Sequence, residues 1–303
     1  MKWLPNPYQL RTLLAVAKHH SFRDAADEQH VTVSAISQQM LTLSRETQAV
    51  LYERRGNRIY LTQAGLDLAE FARHIVQLSE DAVRAIKGAS ERRHLRVSMV
   101  TSIAEGLLPE VYWTFRSQQT ETTIRTDIKP GSEIIADLNG GRVDVALLPS
   151  YGDDSGGIDR LFHEEVARDR LVAVVQKSDP LAVEESVTID NLSQRRLFLE
   201  SQSSPNCQRL IRRFQEQGKT PDIELFCSNS SLAIRMALAA GHVAVIPEVV
   251  ALTTREDAAI IPIVDGVSRS LRFCCPEHIL NDPVTRAFRQ VVHEAFRNAK
   301  RRQ

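Results

Sequence analysis

The sequence predicts an α/β protein in three parts: a small helical unit closed by a β-hairpin, one long helix, and a larger α/β unit of two subdomains. Three observations carry that expectation. Before Thr62 the apolar residues recur at helical spacing and end in two short strand-like runs around a Gly-Asn turn. From Leu66 to Lys87 there is neither Gly nor Pro, and an apolar seam recurs at alternating steps of four and three. From Leu95 onward, short apolar runs alternate with helical patterns. A chain of 303 residues has room for two or three folding units, and a hydrophobic share of 43% is that of an ordinary folded chain.

Charge decides little. The 38 basic and 38 acidic side chains cancel, and only a small basic surplus accumulates between Met1 and His94. No stretch approaches the roughly 20 apolar residues that span a bilayer, and MKWLPNPYQLR lacks a signal-peptide core, so no membrane partner and a cytoplasmic location are expected. The four cysteines, Cys207, Cys227, Cys274 and Cys275, show no metal-ligand spacing. They read as buried free thiols or, if one were an accessible low-pKa thiolate, as a redox switch.

Element by element, Leu10, Leu13, Leu14 and Ala17 mark a first helix that stops at His19-His20-Ser21. Ser21 with Asp24 resembles a capping box for a second helix, Phe22 to about Gln29, whose Ala25 and Ala26 permit close helix crossing. His30-Val31 is short enough to force a sharp turn, and Thr32 is the expected N-cap of a third helix with Ile36, Met40 and Leu43 inward. The start of that helix is short and polar. It reads as a solvated helix face or as one that enters a major groove, with Gln38 or Gln39 reaching base edges. In LYERRGNRIYLT two strand-like runs flank Gly56-Asn57, a hairpin with Arg54, Arg55 and Arg58 near its tip. Such arginines serve either a soluble turn or contact with phosphates and a minor groove.

The stretches SFRDAADEQHVTVSAISQQM and LYERRGNRIYLTQAG together resemble, in order and separation, the winged helix-turn-helix of the LysR-type transcriptional regulators. The resemblance implies that Ser21, Thr32, Ser34, Ala35, Ser37 and Gln38 face DNA, and that Arg54, Arg58 and Thr62 make wing and phosphate contacts. Arg55 joins them by its place in the hairpin. Two departures stand out: Leu43-Ser44 where the family has Leu-Glu, and Thr47-Gln48 where it has Leu-Gly. Gln48 therefore inherits a turn position that favours glycine.

The seam of the long helix is expected at Leu68, Ala72, Ile75, Ser79, Ala82 and Ile86. It fits a helix pairing with its own copy or one packed on its own domain; the resemblance implies the former, a dimerising linker. The expected domains are a winged helix-turn-helix over 1–64, the linker over 65–90 with a boundary near Gly88-Ala89-Ser90, and an effector-binding domain over 91–303. In the last, subdomain I spans about 91–167 and 270–303, and subdomain II about 168–269.

In that domain LRVSMV, TTIRTDI, RVDVALL, LVAVVQ, RRLFLE, IELFC, VAVIP and LRFCC are the expected strands of a mostly parallel sheet, with intervening helices and a closing helix from about Pro283 to Arg302. GGRVDVALL, VQKSDPLA and AGHVAVIP resemble the LysR effector domain, itself similar to periplasmic binding proteins. Hydroxyl clusters stand at three expected strand ends: Thr101-Ser102, Ser201 to Ser204 (with Ser201 and Ser203 assigned to the pocket), and Ser228-Asn229-Ser230. Each serves as an N-cap or, jointly, as a pocket for a small anion such as a carboxylate. Glu200 beside them leaves the ligand's charge open, because a carboxylate there repels an anion or selects an amine.

No nucleophile-base-orienter set, metal cluster or phosphate loop is recognisable, so neither an enzyme nor a bound cofactor or metal is expected. The expected function is sequence-specific binding of double-stranded promoter DNA, modulated by a small-molecule effector. The alternative is a solute-binding module without regulatory DNA binding. The resemblance further implies a dimer or tetramer, and RNA polymerase as a partner.

Overall fold

The computed structural model describes residues 4–86, 93–152, 157–158, 161–254 and 258–301. The chain divides into two compact units, one built mainly from its first helices and hairpin, the other from most of the remainder. The expected boundary at Gly88-Ala89-Ser90 lies outside the described residues.

The first unit runs α1 (Pro7–His19), α2 (Phe22–Gln29), α3 (Val33–Thr47), β1 (Tyr52–Arg55), β2 (Arg58–Leu61) and α4 (Gln63–Ile86). Capping side chains set the three helix starts. Asn6 and Gln9 form a capping box, Ser21 Oγ accepts the Asp24 N–H, and Thr32 Oγ1 accepts the Ala35 N–H. Leu10, Leu13 and Val16 pack on Ala25, Ala26, Ile36, Met40, Leu43 and Leu51, all essentially solvent-free. Each large apolar side chain so buried contributes about 1.5–3 kcal/mol. The helices end in left-handed residues, His20 (φ 54°), His30 (φ 55°) and Gln48 (φ 53°). Gln48 thus adopts the glycine-favoured conformation, and the Ala49 N–H still reaches the Ser44 carbonyl at 3.1 Å to close the helix end.

The hairpin pairs Arg55 with Arg58 across Gly56-Asn57. Of the two turn residues, Gly56 takes the positive φ (61°), as in a type II′ turn. Strand β2 is hooked to the α1–α2 corner: Ile59 N–H donates to the His20 carbonyl at 2.8 Å, and the His20 and Tyr60 rings lie 4.9 Å apart.

The second unit is one nine-stranded sheet in the order β4-β3-β5-β11-β6-β9-β7-β8, with β10 also on β6. Its strands are β3 (Arg93–Met99), β4 (Thr122–Ile128), β5 (Val145–Ser150), β6 (Phe162–Gln176), β7 (Arg196–Leu199), β8 (Asp222–Phe226), β9 (Val243–Pro247), β10 (Ala258–Pro262) and β11 (Ser268–Cys275). The helices are α5 (Thr101–Gln118), α6 (Gly131–Asn139), α7 (Ile189–Ser193), α8 (Pro205–Glu216), α9 (Ser230–Ala240), α10 (Glu248–Ala251) and α11 (Pro283–Arg301). Two parallel triplets, β4-β3-β5 and β8-β7-β9, are joined through β6 and β11, which run antiparallel to their neighbours. Each triplet is the centre of a subdomain. Strand β6 pairs with β11 through its first half and with β9 and β10 through its second, so it carries the chain across, and the chain crosses back between β10 and β11.

Alternation sorts the core. In β7, β9 and the adjoining half of β6, Val172, Val174, Phe198, Ala244 and Ile246 face a cluster shared with α5, α9, α10 and α11, while Leu171, Ala173, Val175, Leu197 and Val245 face α8. The sheet is less parallel than the sequence suggests, and β6 begins at Phe162 rather than near Arg170. Its first half, FHEEVARD, has no apolar run because Glu165 and Arg168 face solvent. It becomes a strand by pairing with β11, a long-range event that leaves no local pattern.

Candidate DNA-binding face and ligand cleft

On the first unit, the start of α3 presents a short exposed surface. Thr32, Val33, Ser34, Gln38 and Leu41 are exposed, and Ala35 and Ser37 are half-buried. Thr32 Oγ1 and Ser34 Oγ lie 2.9 Å apart. Gln38 is free to extend. Gln39, its alternative as a base reader, turns inward: its Oε1 lies 2.5 Å from the Thr12 hydroxyl, which also lies 3.1 Å from Gln29 Oε1. It ties together the three helices. Ser21 is committed as the α2 cap, with Oγ accepting the Asp24 N–H at 3.2 Å.

The wing arginines differ. Arg54 Nε donates to the Gly56 carbonyl at 3.2 Å and stiffens the turn. Arg55 pairs with Glu53 and lies 5.6 Å over the Tyr60 ring. Arg58 is exposed, and among the described residues its side chain has neither hydrogen bond nor ion pair. Thr62 Oγ1 donates to the Val50 carbonyl at 2.6 Å and accepts the Gly65 N–H at 3.2 Å, so it caps α4 with its proton already committed.

Within the second unit the predicted pocket residues separate. Thr101 is exposed and lines a groove of about 430 Å³ with Glu105, Leu108, Tyr112, Thr126 and Ile128. Ser102, the next residue, points the other way into the junction of the subdomains. Ser201 and Ser203 bond each other at 2.9 Å at the surface, Ser228 is exposed, and Asn229 caps α9 by accepting the Leu232 N–H. Ser230 is fully buried, its hydroxyl turned to Glu200.

At that junction lies a polar network that spacing did not reveal. Arg269 and Asp169 are direct cross-strand partners on β11 and β6. Arg269 is 4% exposed; its Nε donates to Asp169 Oδ2 at 2.8 Å, and its Nη1 donates to Ser102 Oγ at 3.1 Å and Asn206 Oδ1 at 3.4 Å. Asp169 Oδ1 accepts the Val249 N–H at 3.1 Å. Burial works to strip the proton from Arg269, but the Asp169 charge outweighs it, and the guanidinium stays charged. Tyr151, following β5, donates to Asn206 Oδ1 at 2.5 Å, and its phenol is pushed up by burial. Asn206 in turn donates to Glu200 at 2.6 Å; Ser204 and Ser230 add bonds to the same carboxylate at 2.5 and 3.0 Å. One chain of hydrogen bonds therefore crosses from subdomain I (Ser102, Tyr151) to subdomain II (Asn206, Glu200, Ser230). Sequence reading singled out Ser102, Glu200, Ser204 and Ser230 but missed Asp169, Arg269, Tyr151 and Asn206. The signal for Arg269 was a charged residue at an inward position of an alternating strand.

All four cysteines are buried. Burial, aided by the negative charge of Glu200, pushes the Cys207 thiol up to about 11, and burial pushes Cys274 and Cys275 up to about 12. These are protonated thiols, not the accessible thiolates a redox switch requires. Among the described residues no group of His, Cys, Asp or Glu could hold a metal ion, and no helix is long and apolar enough to cross a membrane.

A winged helix-turn-helix joined to an α/β unit whose two subdomains meet at a buried polar network defines a DNA-binding regulator that responds to a small molecule. Comparison with known proteins specifies it further. Residues 7–66 match the family model "Bacterial regulatory helix-turn-helix protein, lysR family", and residues 88–297 match "LysR substrate binding domain". The chain belongs to the LysR family of transcriptional regulators. A RuBisCO operon transcriptional regulator from Allochromatium vinosum is 28% identical over 70% of this chain and 69% of its own length. A probable RuBisCO transcriptional regulator from Thalassiosira pseudonana is 30% identical over 57% of each chain. Among solved structures, a full-length OxyR variant from Pseudomonas aeruginosa covers 97% of this chain and 98% of its own, with a TM-score of 0.68 at 15% identity. Full-length CbnR complexed with its target DNA covers 96% and 99%, with a TM-score of 0.59 at 23% identity. These relatives are regulators rather than enzymes, and the chain is a DNA-binding regulator with an effector-binding domain.

Proposed function

We propose that the exposed start of α3 enters the major groove of promoter DNA while the hairpin meets the flanking backbone or minor groove. Ser34, Ser37 and Gln38 are the groove residues, with Thr32 and Ala35 beside them. Arg58 is the principal wing contact, because it alone of the three wing arginines has no partner in its own unit among the described residues. Ser21 and Thr62 act by holding their helix ends, where N–H groups offer a phosphate further donors. That unpartnered arginine carries the proposal.

The effector occupies the cleft lined by Ser102, Tyr151, Asn206 and Ser230; Thr101, Ser201, Ser203, Ser228 and Asn229 lie around it rather than in it. A small carboxylate was the expected class, and it meets a cradle already holding Glu200. By binding one closure of the two subdomains more tightly, the effector changes how subunits pack and so how the DNA-binding heads are spaced. The subunits form a homodimer, or a tetramer of two dimers, through the apolar stripe of α4, and the protein works in the cytoplasm with RNA polymerase as a partner.

The test is binding of the purified protein to the duplex beside its own gene. A preference over random duplex of at least about 10³-fold is expected. Equal affinity for both removes the regulatory assignment.

A further inference from the structure

A buried carboxylate normally draws a cation. Glu200, 9% exposed, has none: among the described residues it takes part in no ion pair, and its three bonds come from the neutral donors Ser204, Asn206 and Ser230. Ser204 is the N-cap of α8, a helix of 12 residues, and Ser230 is the first residue of α9, of 11. Two helix N-termini and three neutral donors converge on one carboxylate, which is how a protein holds a bound small anion. Here the anion is covalently part of the chain. Its position matters, because Asn206 shares its amide between Glu200 and the Tyr151–Arg269 side of the cleft.

Resting on the reading of this cleft as the effector site, we infer that Glu200 is a resident anion: it fills the cradle a ligand carboxylate would need, so the effector is uncharged or cationic. A second anion would meet the Glu200 charge at short range, and the guanidinium that shares its network, Arg269, is already paired with Asp169. An amine or hydroxyl can donate to the carboxylate face that Ser230 leaves open, since Oε2 accepts only one of the bonds.

The experiment is chemical rescue in the full-length protein. Removing the carboxylate in Glu200→Ala strands three donors, and the melting temperature should fall by about 3–10 °C. Sodium acetate, compared with sodium chloride at matched ionic strength, should restore much of the loss by occupying the vacated cradle. It should leave the wild type unmoved, and neutral acetamide should rescue neither protein. Acetate without effect on a folded Glu200→Ala, acetamide as effective as acetate, or acetate stabilising the wild type would each overturn the inference. Should Glu200→Ala fail to fold, Glu200→Gln decides, because its amide keeps the size of the side chain but removes the charge that the two helix N-termini and the three donors hold. A lowered melting temperature is expected there, and one equal to the wild type would contradict a resident anion. Promoter preference of the wild type, measured in parallel, reports on the regulatory reading separately.

Discussion

At Gly65 the missing side chain decides whether α4 can start beside the hairpin. A Cβ there would fall 2.0 Å from the Leu51 carbonyl oxygen and 3.1 Å from the Leu61 Cβ. The obstacle is backbone, which cannot swing aside as a side-chain tip can. Gly65→Ala should therefore destabilise the first unit by about 1–3 kcal/mol, read as a lower melting temperature; an unchanged melting temperature would mean the junction relaxes freely. The sequence marked this glycine only as part of a motif, and the carbonyl contact supplies its reason. Caps such as Ser21, Thr32 and Asn229 were legible because an N-cap bonds its own next turn. The Asp169–Arg269 pair was not, because its members are a hundred residues apart and meet through strand register. Gln39 misled for a similar reason: polarity showed a helix face, but not that Thr12 would claim the amide.

The element that departs most from its expected pattern is α4. Leu68, Ala72, Ile75 and Ser79 were the expected seam; the side chains of Ala82 and Ile86 lie outside the described residues. Ala72 is fully buried against its own unit, with Ala69 buried and Leu68 and Val76 partly so. The exposed stripe is Phe71, Ile75 and Leu78, still stepping by four and three but shifted round the helix. Both faces of this helix are apolar, and periodicity alone cannot say which covers its own domain. Leu78, 54% exposed, is thus the residue to change. Under the proposed pairing, Leu78→Asp should shift the sedimentation coefficient toward the monomer while leaving the helical circular dichroism intact. A variant with the wild-type sedimentation coefficient would place subunit contacts elsewhere.

At the scale of the whole molecule, order was more legible than pairing. The order of helices and strands and the hairpin followed from periodicity and turn residues, while the winged unit was read from the family resemblance. The antiparallel character of β6, β10 and β11 did not, since it depends on which strands meet in space. The consequence for function is that both subdomains hang on strands β6 and β11, with a buried ion pair and a shared asparagine where they meet. An effector that alters those bonds acts on the crossing strands directly. The most direct test of the central claim is the salt dependence of promoter affinity for the wild type and Arg58→Ala. If the unpartnered wing arginine neutralises a phosphate, affinity should fall on all sequences alike, and the slope of log affinity against log salt should shrink by about one. An unchanged slope and affinity would contradict the wing's contact with DNA.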